Sequence, residues 1–114
     1  MFENNKNYCE DTLIVGLNRG SQWRKRLAVR YPSDPRNAVA SQCLATLATE
    51  ASHKLTHDEW LQLKPHSGWA NETFREAISE ATRAVGFTST IKDFHSFIEH
   101  LLEVLSQQPK SVTL

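Results

Sequence analysis

The sequence predicts an all-α fold, a compact single-domain bundle of five short helices, or of six if residues 11–19 are helical. Apolar residues recur at three- and four-residue intervals through most of the chain, which is the period of an amphipathic helix. Capping residues, prolines and glycines bound these periodic segments. The length of 114 residues suits one domain that buries a core without disulfides or metal. The predicted organisation is an N-terminal arm that is extended or a short helix (1–20), the bundle domain (21–106) and a disordered tail (107–114).

The clearest helix covers residues 91–105, with Thr90 as its expected N-cap and Asp93 at the N3 position of a capping box. Six apolar side chains spaced by three and four residues form its buried face: Phe94, Phe97, Ile98, Leu101, Leu102 and Leu105. The helix before it is expected to start after Asn71 as N-cap. It is expected to stop before Gly86, because glycine readily takes the left-handed C′ conformation.

A short helix is predicted in the segment LTHDEWLQLKP. Thr56 and Glu59 have the spacing of a capping box, and Leu55 and Trp60 have the spacing of a hydrophobic staple. Pro65 prevents the helix from continuing. These signals all lie within about one turn of each other, so they specify this helix locally.

The helix over residues 35–51 is predicted to begin with Asp34 as N-cap and Pro35 as its first residue. Its many alanines allow neighbouring helices to approach closely. We therefore expect this helix and the one over 91–105 at the centre of the bundle.

A basic helix is predicted between Ser21, as its N-cap, and Pro32, which ends it. Trp23, Leu27 and Tyr31 are spaced i, i+4 and i+8, so they share one side of this helix. That side is predicted to face the core.

The basic segment 19–36 is the strongest candidate for a binding surface. Near its middle and end, five cations stand against the single acid Asp34: Arg24, Lys25, Arg26, Arg30 and Arg36. On a helical wheel at about 100° per residue, the cations fall on both edges of the predicted apolar side. That distribution favours a solvated rim of arginines over the single basic stripe of a DNA-reading helix.

The whole chain has a formal net charge of zero, which excludes a global field that would attract DNA or a membrane. Residues 1–57 carry a formal charge of +3 and residues 58–114 a charge of −3. This mild dipole suits self-association or a partner of mixed charge.

Catalytic and metal-binding motifs are not found in the sequence, so no cofactor and no metal site are predicted. The N-terminal residues lack the pattern of a secretory signal, and the longest apolar run is far too short to span a membrane. Cys9 and Cys43 are therefore expected as free thiols in a cytoplasmic protein.

These observations predict a small non-enzymatic helical interaction module that docks to a protein partner or self-associates. The residues predicted to contact the partner are Trp23, Arg24, Arg26, Arg30, Arg36 and Trp69. Trp69 is included because it follows Gly68 in an expected turn, where a tryptophan can be exposed. The alternative is a nucleic-acid-binding accessory or regulatory subunit that uses the basic segment 19–36. An enzyme with a concealed acid–base or metal site is a third hypothesis.

Overall fold

In the computed structural model, which describes residues 6–67, 72–87 and 90–107, the chain forms five α-helices. They are α1 (Lys6–Arg30), α2 (Arg36–Lys54), α3 (His57–Leu63), α4 (Glu72–Ala84) and α5 (Phe94–Gln107), and a short 3-10 helix (Lys64–His66) follows α3. The prediction of an all-α bundle is thereby confirmed. Of the expected disordered tail (107–114), Gln107 is instead the last residue of α5. The rest of that tail, the expected cap Asn71 and the candidate Trp69 lie outside the described residues.

The longest helix, α1, joins two segments that the sequence appeared to separate. It runs for 25 residues without a break at residue 20. The prediction that Ser21 caps a new helix is wrong, because its hydroxyl is used between helices. The hydroxyl donates to the carbonyl of Ser41 on α2 (2.8 Å), and the Ser41 hydroxyl donates to the carbonyl of Ser21 (2.9 Å).

The buried side of α1 also differs from the predicted one. It consists of Cys9, Leu13, Leu17, Gly20, Ser21 and Arg24. Trp23 is 38% exposed and Tyr31 is more than half exposed, so the prediction that they face the core is wrong. At about 100° per residue, the true buried side is rotated by about 50° from the predicted one. The residue at its centre is an arginine, Arg24.

Two of the predicted helix starts are confirmed or nearly so. In α3, the Thr56 hydroxyl accepts from the Glu59 amide (3.1 Å), and the Glu59 carboxylate accepts from the Thr56 amide (2.9 Å), which completes the capping box. Helix α2 begins one residue later than expected, at Arg36. Asp34 still accepts a hydrogen bond from the Arg36 amide (3.1 Å), so its carboxylate satisfies one of the unpaired amides at this helix start.

Helix α5 begins three residues later than expected because Asp93, not Thr90, caps it. The Asp93 carboxylate accepts from the Ser96 amide (2.8 Å), and the Ser96 hydroxyl accepts from the Asp93 amide (2.9 Å). After α4, Gly86 has the predicted positive φ, of +92°. The backbone amide of Phe87 then bonds back to the carbonyl of Ala84 (3.0 Å).

Helix α1 has the most extensive contacts with other helices, chiefly with α2 and α4, while α4 also packs on α5. The prediction that residues 35–51 and 91–105 form the centre is therefore only partly right: α2 packs extensively on α1, but α1, whose full length was not predicted, has the most contacts. The apolar face of α4 is buried as predicted, and so is that of α5 except that Leu102 is only partly buried and Val104 is buried. Among the described residues, no helix combines the length and the apolar character that a membrane span requires.

Candidate functional site

A groove of about 650 Å³ runs along the surface between α1 and α4. The two helices touch along its floor through two glycines of α1. A Cβ added to Gly16 would lie 2.5 Å from Ile78 Cγ2, and one added to Gly20 would lie 2.9 Å from Thr82 Cβ. The glycines therefore allow the backbone of α1 to approach α4 more closely than any other residue would.

The walls of this groove are apolar, and its rim is mainly cationic. Val15, which is 52% exposed, and the half-buried Trp23 supply apolar surface from α1. The charged side chains that line the groove are Arg19, Arg75, Arg83 and Asp11, all of them exposed. Three cations therefore face a single acid around an apolar surface.

The outward side of α1 extends this cationic rim. With the buried side centred on Arg24, the exposed residues Arg19, Arg26 and Arg30 fall within about 40° of one another on the helix, next to Trp23. The expectation that the cations divide between both flanks holds only through Lys25, which lies on the opposite side of the helix from Arg26 and Arg30, whereas Arg24 is buried and lies on neither flank. Arg26 also lines a shallow depression together with Val15, Asn18, Arg19 and Gln22.

Behind Trp23 lies a second feature, a fully buried arginine. Arg24 has no exposed surface, and its Nη2 donates to the main-chain carbonyl of Arg83 at the end of α4 (2.7 Å). Its guanidinium carbon lies 4.5 Å from the ring centroid of Phe87 and 5.4 Å from that of Trp23. Burial, and then the charge of Arg36, lower the pKa of Arg24 from its usual value. Arg24 thus holds α1 against the end of α4 and does not present its charge to a partner at this surface.

Arg36, at the start of α2, lies on the same aromatic ring. Its guanidinium carbon is 4.6 Å from the centroid of Phe87. Asp34 accepts from Arg36 Nε (2.9 Å) and from Arg36 Nη2 (2.8 Å), and these hydrogen bonds lower the pKa of Asp34 to about 2. We call Arg24, Arg36, Asp34 and Phe87 the arginine cluster.

The structure brings together only part of the predicted contact set. Trp23, Arg26 and Arg30 share the outward side of α1, whereas Arg36 belongs to the arginine cluster and Arg24 is buried. The groove residues Val15, Arg19, Arg75 and Arg83 were not among the predicted contacts. For Val15 and Arg19 a signal was present: if the helical period is continued through Gly16 and Gly20, both fall on the side of Trp23.

The cysteines lack the properties of reactive nucleophiles. Both are free thiols, and burial raises the pKa of Cys9 to about 12 and also raises the pKa of Cys43. A thiol with a raised pKa carries little of the reactive thiolate near neutral pH. Within the residues that the structure describes, no three His, Cys, Asp or Glu side chains come together as a metal site.

The groove and the arginine cluster lie next to each other on the described surface. They share neighbours, because Trp23 and Arg83 line the groove and also contact Arg24. A comparison with protein-family models found no match, and searches of curated proteins and of solved structures found no significantly similar protein.

Proposed function

We propose that this protein is a non-enzymatic interaction module that binds an acidic amphipathic helix of a partner protein in the groove between α1 and α4. The observation that carries the proposal is the combination of exposed apolar walls with a rim of three arginines and one aspartate. An exposed apolar patch rimmed by polar residues is typical of a docking surface. A basic rim favours an acidic occupant, since complementary charge guides and orients association.

The dimensions of the groove favour a helical occupant. Its α1 wall extends from Tyr8 to Trp23, which corresponds to about 22 Å at 1.5 Å per residue. A helix of about four turns has that length. Two neighbouring helices present parallel ridges on which a third helix can lay its apolar face, as in helix-in-groove recognition.

A second copy of this chain fits the groove less well than a separate partner. The exposed acids Glu72, Glu76 and Glu80 follow one another along α4 and could face the arginines of another copy. However, the exposed side of α4 carries no large apolar residue within its described range of 72–84. The α4 helix of a second copy would therefore pair with the arginines of the rim but leave the apolar walls of the groove exposed.

The test is fluorescence anisotropy with a labelled synthetic peptide of sixteen residues that has leucine at one helical face and glutamate at the others. We expect the double substitution Arg19→Glu with Arg83→Glu to weaken peptide binding about tenfold or more, because the charges of the rim would then repel it. Val15→Asp is expected to weaken binding similarly by placing a charge on the apolar wall.

Matched controls are available on the same helix. Lys25→Glu and Val29→Asp change exposed residues of α1 that do not line the groove, so peptide binding should stay within about twofold of the original. If the controls weaken binding as much as the groove variants, or if a peptide with lysine in place of glutamate binds equally well, the proposal is wrong. A dimer in sedimentation analysis that the groove variants dissociate would favour self-association instead.

Nucleic-acid binding is a second candidate function, favoured by the outward side of α1. That side places Arg19, Arg26 and Arg30 beside the amide side chains Asn18 and Gln22. Cations and amides on one exposed helix face are typical of groove and phosphate contact, although the chain as a whole is neutral.

For this second candidate, three phosphate contacts predict that log K falls against log salt with a slope of about −2.7 on duplex DNA. The measurement is anisotropy of a labelled duplex between low and physiological salt. Arg26→Glu with Arg30→Glu should abolish this binding and weaken peptide binding much less than Arg19→Glu with Arg83→Glu does, since neither Arg26 nor Arg30 lines the groove. No salt-sensitive binding at low ionic strength would rule this candidate out.

A further inference from the structure

The geometry points to an oxyanion site in the arginine cluster, where a phosphate group binds between Arg24 and Arg36 after the ring of Phe87 turns aside. This site is distinct from the groove and does not depend on the proposed function. Its ligand class is a tetrahedral phosphate, either inorganic phosphate or a phosphate monoester.

The first observation is that the buried charge of Arg24 is only partly satisfied. The side chain has no exposed surface, yet Nε and Nη1 have no hydrogen-bond partner among the described residues. Only Nη2 is engaged, by the carbonyl of Arg83. Buried polar groups are nearly always hydrogen-bonded, and an unpaired buried donor is a specific reason to expect a missing acceptor.

The second observation is the excess of positive charge. Asp34 is the acid of the cluster, and Arg36 engages it through its backbone amide, its Nε and its Nη2. The cluster therefore holds two guanidinium groups and one carboxylate, and that carboxylate is bonded to Arg36. The N-terminus of α2, a helix of 19 residues, begins at Arg36 and adds the positive end of its dipole.

The third observation is how the cluster is covered. Phe87 is 54% exposed, and its ring lies 4.5 Å from the guanidinium carbon of Arg24 and 4.6 Å from that of Arg36. Gly86 precedes it at positive φ, and a Cβ there would lie 3.6 Å from Arg24 Nη1. Glycine thus brings the turn close to the buried donor, and an exposed ring is the group that must move for an anion to reach it.

An oxyanion would improve the interactions of both arginines. In place of cation–π contacts with Phe87, the guanidinium groups would make charge-assisted hydrogen bonds, which are stronger. The two groups approach from different helices, α1 and α2. A tetrahedral phosphate has acceptor oxygens that diverge in several directions, so it can serve both, whereas the planar carboxylate matches a single guanidinium edge.

The test is a thermal melt of the full chain in increasing inorganic phosphate, with chloride as the control at matched pH and ionic strength. We expect the melting temperature to rise with the logarithm of the phosphate concentration, by about 5 °C at a tenfold excess over Kd. Arg24→Met and Arg36→Met should each remove the rise. Lys25→Met changes an exposed cation next to Arg24 and should keep it. Phe87→Ala retains both arginines and removes the ring that covers them. The melting temperature of this variant should therefore rise at an equal or lower phosphate concentration.

Parallel titrations with inorganic phosphate and with phosphoserine distinguish a free anion from a phosphorylated side chain as the source. A rise with either ligand, larger than that in the chloride control and dependent on Arg36, supports the site. If Arg24→Met does not fold, Arg36→Met and Phe87→Ala decide the question, since both change exposed side chains. The inference is overturned if neither ligand raises the melting temperature, or if the rise is the same in the original chain and in Arg36→Met.

Discussion

Replacing Arg24 with alanine is expected to lower the free energy of unfolding by about 2–5 kcal/mol. The side chain is fully buried between α1, the end of α4 and Phe87, so its removal leaves a large cavity. It also leaves the carbonyl of Arg83 without its 2.7 Å hydrogen bond, which adds a desolvation penalty. Chemical denaturation followed by circular dichroism measures the change.

The neighbouring residue provides the control for this prediction. Lys25→Ala removes an exposed cation from the same turn of α1, and we expect a change within about 0.5 kcal/mol. Arg24→Met fills most of the space without a charge, so its loss of stability should be smaller than that of Arg24→Ala. If Arg24→Ala and Lys25→Ala lower stability equally, Arg24 is not the packed residue that the structure describes.

The burial of Arg24 determines which arginines can be substituted in a test of docking. Reversing Arg24, Arg26 and Arg30 together would place a carboxylate in the core, and a loss of binding would then reflect unfolding. Arg26 and Arg30 are exposed and can be reversed safely. The groove residues Arg19, Arg75 and Arg83 are the informative set for peptide binding.

The parts of the fold that could be predicted are those encoded within one or two turns. The capping box of Thr56 and Glu59 needs residues three positions apart, and the positive φ of Gly86 needs one glycine after an amphipathic helix. The buried face of α5 likewise follows from a regular period within one segment. Each of these signals depends on residues of one segment and not on the position of any other helix.

The prediction for α1 failed because its sequence reflects contacts with other helices. Gly16 and Gly20 weaken helix propensity, but they allow the close approach to α4. Ser21 has the residue type of a cap and instead pairs with Ser41. Without the buried residues before Ser21, the apolar side chains Trp23, Leu27 and Tyr31 define a buried side that is rotated by about 50° from the true one.

The candidate site was only partly predictable for the same reason. Its α1 residues, such as Trp23 and Arg26, lie in the basic segment and could be found by composition. The acceptor that allows Arg24 to be buried lies 59 residues further along the chain. Likewise, nothing local to Arg75 or Arg83 indicates that α4 faces α1. These relations arise only when the helices pack.

The close contact between α1 and α4 leads to the second large effect. Gly16→Ala is expected to lower the free energy of unfolding by about 1–3 kcal/mol, although alanine favours helices over glycine by about 1 kcal/mol. The added Cβ would lie 2.5 Å from Ile78 Cγ2, an atom held near the backbone of a buried side chain. The helices must therefore move apart.

Asn18→Ala is the control, because Asn18 is exposed on the same turn of α1; it should raise stability slightly through helix propensity alone. In a double-mutant cycle, Ile78→Ala removes Cγ2 and leaves its Cβ at 3.4 Å from the new methyl group. We therefore expect Gly16→Ala to lose most of its effect in the Ile78→Ala background. If Gly16→Ala is as harmless as Asn18→Ala, or if the two core substitutions are simply additive, α1 and α4 do not pack through Gly16. The floor of the proposed groove would then have to be placed elsewhere.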